Sequence, residues 1–143
     1  MKNRNARSKD FEKLVEIRIR AMKPSLEKVG RFDKTRATER FRKSFLPEKT
    51  TIAFDGKDIL GFYMITLDDK ILFLNHLYID PKFQGKGIGT ALLKQVKNIA
   101  VENNMSIELE ALKESKSNSF YVSNGFTKVG ESEFDNIYRW EGL

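Results

Sequence analysis

Phe11, Leu14, Val15, Ile19 and Met22 recur at three- and four-residue intervals between Lys9 and about Met22, the spacing that lines one face of an α-helix. Ser8 is available as its cap, and Pro24 is expected to end or bend it, because the ring removes an N–H and crowds the preceding turn. A second, shorter helix is expected from Lys34 to Phe45, with Phe41 and Phe45 inward. The period then changes. Thr50 to Phe54, the dipeptide Asp55-Gly56 and Ile59 to Leu67 read as a hairpin, since Asp-Gly suits left-handed turn positions. Leu67 to Lys70 turns the chain again, and Ile71 to Ile79 is a nearly continuous apolar strand of the kind covered on both faces.

Past the glycines at 85, 87 and 89, the residues Leu92, Leu93, Val96, Ile99 and Ala100 form another helical stripe that stops near Asn103-Asn104, and Ile107 to Leu112 alternates as a strand. Two strands joined by a loop and such a helix make a right-handed parallel crossover. A short helix around Asn118 to Ser123 follows, then strands at Phe126 to Val129 and Phe134 to Trp140 that can close an antiparallel edge. The expected fold is mixed α/β (α+β). An antiparallel meander adjoins one parallel β-α-β crossover in a central sheet, flanked by about four helices. No repeat, low-complexity tract or linker interrupts residues 1–143, so a single domain is expected.

Composition changes this picture little, and charge somewhat more. The 143 residues contain no cysteine, which removes disulfide frameworks, thiol nucleophiles and cysteine metal clusters, and no metal site is expected. With no apolar signal region at its start and no run of about 18 apolar residues, the chain reads as soluble and cytoplasmic, without a membrane partner. Its net charge of +6 is uneven: residues 1–49 hold 16 Lys and Arg against 7 Asp and Glu. Such a basic third attracts polyanions or phosphorylated ligands, or simply forms the solvated faces of two amphipathic helices. No aromatic-interleaved platform or helix-turn-helix signature supports nucleic acid beyond bulk charge.

The richest stretch is LYIDPKFQGKGIGTALLKQV, residues 77–96. A loop leaving a strand and opening a helix offers several amides that the helix cannot satisfy, and the helix dipole adds positive potential there. Gly85, Gly87 and Gly89 lack the Cβ atoms that would hold a pyrophosphate away, and they permit the positive φ angles that make neighbouring amides converge. Lys86 adds charge at the rim. The spacing is neither GxxxxGK[ST] nor GxGxxG followed by an acidic ribose contact, so those two nucleotide classes recede.

QGKGIG at 84–89 matches the Q/R-x-x-G-x-G/A pattern of the GNAT superfamily of N-acetyltransferases, and the preceding LNHLYIDP resembles that family's strand before the loop. SIELEALKESKSNSFYVSNGF, residues 106–126, resembles its second cofactor strand and its N-x-x-A-x-x-F-Y-x-x-x-G-F segment, with Phe120, Tyr121, Gly125 and Phe126 in register. The likeness is specific over residues 71–130 and extends through the helix order to nearly the whole chain. It implies a GNAT-like sheet whose two parallel strands splay around acetyl coenzyme A as co-substrate. The backbone of Leu77, Tyr78 and Ile79 is then expected to hold pantetheine and polarise the thioester. Gln84, Gly85, Lys86, Gly87, Ile88, Gly89 and Thr90 are expected to hold the pyrophosphate through their amides, with a weaker cofactor contact from Asn118.

The resemblance also implies acetyl transfer to a primary amine, on a small molecule or a peptide, by direct attack in a ternary complex, with Tyr121 as proton donor to the departing thiolate. A free alkyl amine has a pKa near ~10.4 and must lose a proton first. The family's usual base positions fall on Phe73 and Asn75, which do not titrate. His76, the only histidine, stands one step away; period-two alternation points it to the opposite face unless a bulge resets the parity. His76 and, on the neighbouring strand, Glu110 are the candidates. Glu114 stands where the family often has asparagine, and Ser117 where it has alanine. The acceptor is expected between Lys23 to Asp33 and Glu131 to Asn136, where Glu131, Glu133 and Asp135 could meet an amine cation. A homodimer is compatible with the chain. Two alternatives stand beside transfer: an acyl coenzyme A binding protein without activity, and a nucleic-acid-binding module built on the basic third.

Overall fold

A computed structural model describes residues 1–142. In chain order the elements are β1 (Lys2–Asn5), α1 (Phe11–Lys28), α2 (Lys34–Ser44), β2 (Thr50–Asp55), β3 (Asp58–Asp68), β4 (Ile71–Ile79), α3 (Ile88–Glu102), β5 (Ser106–Leu112), α4 (Ser117–Ser123), β6 (Thr127–Glu131) and β7 (Asp135–Trp140). Seven strands form one sheet in the order β1-β2-β3-β4-β5-β7-β6. β4 and β5 pair parallel and the other neighbours antiparallel, as the meander-plus-crossover expectation has it.

Each sheet face carries its own core. On one, Leu92, Leu93, Val96 and Ala100 of α3 pack on Leu72, Leu74, Ile107 and Leu109, with Tyr121 of α4 and Tyr138 completing the layer. On the other, Phe11, Leu14, Val15 and Ile17 of α1 and Phe41 of α2 cover Ile52 and Phe62. Burying a side chain such as Leu92 or Leu93, both fully enclosed, contributes roughly 1.5–3 kcal/mol. The α3 stripe is the one its periodicity announced; in α1 the first half follows the expectation, but Ile17 and Arg18 are buried where Ile19 and Met22 were expected, and those two are half-buried.

The structure differs from the expectations in four places. β1 is an added edge strand, all polar, paired to β2 from Lys2↔Phe54 to Asn5↔Thr51. The cap position before α1 is Asp10 and not Ser8; its carboxylate caps no α1 amide but closes the turn at Ser8–Asp10, accepting from the Arg7 amide at 2.8 Å and from the Arg4 guanidinium at 2.9 and 3.0 Å. Pro24 does not end α1, which runs on to Lys28; Pro24 is exposed, so the carbonyl that loses its partner can turn to water. In the first hairpin, Asp55 still belongs to β2 and pairs with Asp58, leaving Gly56-Lys57 as the two-residue loop, with only Gly56 left-handed at φ +59°.

A bulge in β4 matters most for the site. Met64 pairs with His76 but Ile65 with Leu74, so Asn75 is the extra residue. Before it, Leu72 and Leu74 face the α3 core; after it, Leu77 and Ile79 do, and His76 and Tyr78 turn toward Phe41 and Phe62. One unpaired residue thus reverses the face of everything beyond it.

Candidate active site

The parallel ladder is short. It comprises Ile71↔Ser106, Leu72↔Ile107 and Phe73↔Glu108, and then stops, although β4 continues to Ile79 and β5 to Leu112. The splay expected between these strands is present. β4 stays paired to β3 as far as Gly61↔Ile79. A Cβ built on Gly61 would stand 2.5 Å from the Tyr78 carbonyl oxygen, and the Asp80 amide donates to Leu60 at 2.9 Å, so both groups point to β3. Alternation then leaves the N–H and C=O of Leu77 and Ile79 on the open edge. An extended amide-bearing ligand can add there as a strand does. Of the three residues expected to offer backbone, Tyr78 spends its carbonyl on the β3 side.

At the end of this edge Asp80, 4% exposed, accepts from Arg20 of α1 at 2.7 Å and from the Lys82 amide at 3.1 Å. That clamp starts the glycine loop. Gly85 and Gly87 are left-handed at φ +81° and +80°, and nothing in the protein lies within 4 Å of where a Cβ would stand on either. The conformation, not crowding by the protein, calls for glycine there. Gly89 has no such φ; its position abuts Phe120 and Ile79 at 3.5 and 3.6 Å. Among the described residues no acceptor takes the amides of Gly85, Lys86, Gly87, Ile88, Gly89 or Thr90, the first helical bond being Ala91 to Gly87 at 3.0 Å. Free amides at a helix start suit an anionic diphosphate. The side chains are occupied elsewhere: Gln84 Nε2 donates to the Ile79 carbonyl at 3.1 Å, and Lys86 lies over the Phe83 ring.

Tyr121 is buried against Phe120, Phe126 and Tyr138, and its hydroxyl bonds to none of the described residues. Burial raises its pKa well above the usual tyrosine value, and the neighbouring Tyr78 phenol raises it further. The two tyrosines belong to opposite faces of the sheet. The group stays protonated at any working pH.

His76 does turn with the bulge, but into a packed niche. Its ring lies 5.1 Å from that of Phe41 and 5.7 Å from that of Tyr78, Nε2 is 3.0 Å from the Ser44 hydroxyl, and buried Nδ1 has no partner among the described residues. Burial first, and the Arg18 charge second, lower its pKa to about 3. That makes it a poor base and a pH-sensitive support. Because its folded pKa lies below the unfolded value near ~6.5, its contribution is intact above that pH and is lost as pH falls toward 3. Denaturant titrations at pH 7 and 4.5 should therefore show the natural chain losing on the order of 2–3 kcal/mol more than His76→Gln; equal losses would show that this ring is not buried neutral.

Asn118 also departs from the expected cofactor contact. Its Nδ2 donates to the Leu112 and Ser115 carbonyls at 3.0 and 2.9 Å, while Oδ1 accepts from Asn136 and the Tyr138 hydroxyl at 2.9 and 2.8 Å. Its bonding capacity is spent on tying the loop before α4 to β7. Glu114 adopts φ +75°, a conformation asparagine takes more readily than glutamate, and it pairs with Lys28 of α1 at 3.6 Å. Glu110 lies on the face opposite Leu109 and Ala111 and is exposed; no ion pair engages it among the described residues.

A family profile described as the acetyltransferase (GNAT) domain matches residues 21–140. The chain belongs to this family. Among curated GNAT relatives, thialysine N-epsilon-acetyltransferase of Bos taurus is 27% identical over 89 residues, 61% of this chain and 52% of that protein. Spermidine/spermine N(1)-acetyltransferase-like protein 1 of Homo sapiens is 30% identical over 92 residues, 59% of this chain but 13% of that protein. The chain thus matches about half of the first and a small part of the second. The PaiA N-acetyltransferase of Thermoplasma acidophilum, solved in complex with coenzyme A, superimposes with a TM-score of 0.80 at 21% identity, covering 97% of each chain; this likeness is one of GNAT fold.

The α1–α2 loop and the final hairpin, where the acceptor is expected, hold what the sequence pattern did not signal. The expected acidic hairpin is partly neutralised, since Glu131 pairs with Lys128 at 2.7 Å and Lys113 at 3.4 Å, which lowers its pKa. Phe134 at the hairpin tip stacks under Arg31 from the α1–α2 loop, 3.5 Å from the ring centre. Gly61 also went unnoticed; a glycine inside an apolar strand run is the signal for a close approach. Among the described residues no helix is long and apolar enough to cross a membrane, and no cluster of three or more His, Asp or Glu forms a metal site.

Proposed function

We propose that the chain transfers the acetyl group of acetyl coenzyme A to a primary amine by direct attack in a ternary complex. The observation that carries this reading is the ladder that stops at Phe73↔Glu108, leaving Leu77 and the Ile79 amide on an open edge that leads into the amides of Gly85 to Thr90, unbonded among the described residues. When bound, the thioester supplies an activated carbonyl. The β4 edge aligns the pantetheine amides, and the loop amides with the α3 dipole hold the diphosphate. The Tyr121 hydroxyl, protonated and without a partner, donates to the departing sulfur. Glu110, on the α1/α2 face of the splay, accepts the proton that the amine loses, while His76 supports Tyr78 from behind.

Calorimetric titration with acetyl coenzyme A tests the loop, and release of thiol in the presence of an amine panel tests transfer. Gly87→Ala must hold an L-residue in a left-handed conformation, at about 1–2 kcal/mol, so its affinity for acetyl coenzyme A is expected to fall roughly tenfold. Lys86→Ala is expected to change it by less than about threefold, because main chain does the holding. Equal effects of the two would place the diphosphate elsewhere. The second reading, an acyl coenzyme A binder without turnover, draws on Phe73 and Asn75 at the family's usual base positions. Binding without thiol release across the panel would favour it.

A further inference from the structure

A groove of about 340 Å³ lies between the C-terminal half of α1, the α1–α2 loop and the start of α2. Arg18, Arg31, Arg36 and Arg40 line it, against a single carboxylate, Asp33. Asp33 is already committed as the α2 cap, accepting from the Arg36 amide at 3.1 Å. None of the four guanidiniums has a carboxylate within 4.0 Å among the described residues, whereas Arg4, Arg20, Arg42 and Arg139 each do. Arg18 is the most telling. It is 9% exposed, donates once, from Nη1 to the Ala37 carbonyl at 3.0 Å, and its buried Nε finds no acceptor among the described residues.

A buried guanidinium without a counter-charge is costly unless something anionic completes it. Through Arg18 the groove also borders the splayed stretch of β4. Arg18 lies 5.9 Å from the Tyr78 ring centre, on the splayed stretch of β4, and Arg31 rests on Phe134 of the hairpin across the mouth. Met22 and Leu26 give it an apolar wall, and its volume suits a small molecule.

We infer that the acceptor is a small primary amine that also carries an oxyanion, a carboxylate or a phosphate, which these arginines clasp while the amine faces the thioester. The inference rests on the acetyl-transfer reading. Planar guanidiniums bind either oxyanion through paired N–H groups, and the same positive field lowers the pKa of the bound amine, favouring the free base that attacks. In the step itself the N–C bond forms as the C–S bond breaks, one amine proton leaves to Glu110 or solvent, and the thiolate is protonated. Polyamines fit poorly, since their distal ammonium groups would stand among four guanidiniums.

The test is binding to the full chain saturated with coenzyme A, which lacks the acetyl group, so that recognition is read apart from turnover. L-lysine is titrated against cadaverine, and O-phosphoethanolamine against ethanolamine; each pair differs only in the oxyanion. At least tenfold tighter binding of the oxyanion-bearing member of either pair is expected, and the pair that shows it names the group. The preference should shrink about tenfold in Arg36→Gln/Arg40→Gln, whose side chains are exposed on α2, with coenzyme A affinity unchanged. No preference in either pair, a preference for the purely cationic members, or no binding by any of the four overturns the inference. Preferential binding followed by no thiol release from acetyl coenzyme A would uphold the site and overturn acetyl transfer alone.

Discussion

Tyr121→Phe is expected to lower kcat by roughly a hundredfold while leaving the KM for acetyl coenzyme A within about twofold. The substitution removes one oxygen and nothing else. The ring is held by Phe120, Phe126 and Tyr138 on α4, β7 and the turn between α4 and β6, and the hydroxyl spends no hydrogen bond on the fold, so the packing survives. The lost interaction is one made to a charge that develops only as the C–S bond breaks, which is why it reads in kcat and not in binding. An alkyl thiol has a pKa near ~8.5, below that of this buried phenol, so the hydroxyl acts by sharing its proton with the leaving sulfur more than by surrendering it. Because burial and Tyr78 hold Tyr121 neutral, its deprotonation will not shape the activity profile anywhere below about pH 10. A folded Tyr121→Phe protein with undiminished kcat would return leaving-group protonation to solvent.

The largest loss of stability from a single added methyl is expected at Gly61. Its Cβ would stand 2.5 Å from the Tyr78 carbonyl oxygen, 2.8 Å from Ile79 Cδ1 and 3.1 Å from Ile79 Cα. The Ile79 methyl can rotate away, but the carbonyl and Cα are main chain and move only if the end of β4 moves. Gly61→Ala is therefore expected to cost about 3 kcal/mol, a fall in Tm of roughly 10 °C, readable by thermal unfolding followed by circular dichroism. It should also weaken acetyl coenzyme A, because the displaced segment is the one whose free edge comprises Leu77 and Ile79. A variant with unchanged Tm would mean that β3 and β4 are further apart than described here.

Where a segment buries an apolar stripe, the chain announced it. The bounds of β4 coincide with the apolar run Ile71–Ile79, and α3, β5 and the crossover follow from Leu92, Leu93, Val96 and Ala100. Glycine spacing likewise marked the loop before α3, since positive φ at Gly85 and Gly87 is a local requirement. What stayed hidden depends on partners distant in sequence. β1 is Lys-Asn-Arg-Asn, held by ladder bonds to β2 with no periodic apolar residue to reveal it. Asn118 became a structural hub only through Asn136 and Tyr138, and the cationic groove exists because α1 and α2 set Arg18 beside Arg36 and Arg40. The niche of His76 needed both a bulge and Phe41.

Asn75 is exposed, and its side chain bonds only to Thr66 at 3.0 Å, so nearly any other residue could stand there. Its presence is another matter. Were Asn75 drawn into the regular ladder and not bulged out of it, Tyr78 would exchange places with Leu77 and Ile79, a phenol would be driven into an oily layer, and the edge now open beyond Phe73 would face β3. Deleting Asn75 would only make Met64↔His76 and Ile65↔Leu74 successive pairs and leave every face in place, so related chains should either carry an extra residue here as a bulge or lack it, whatever its letter.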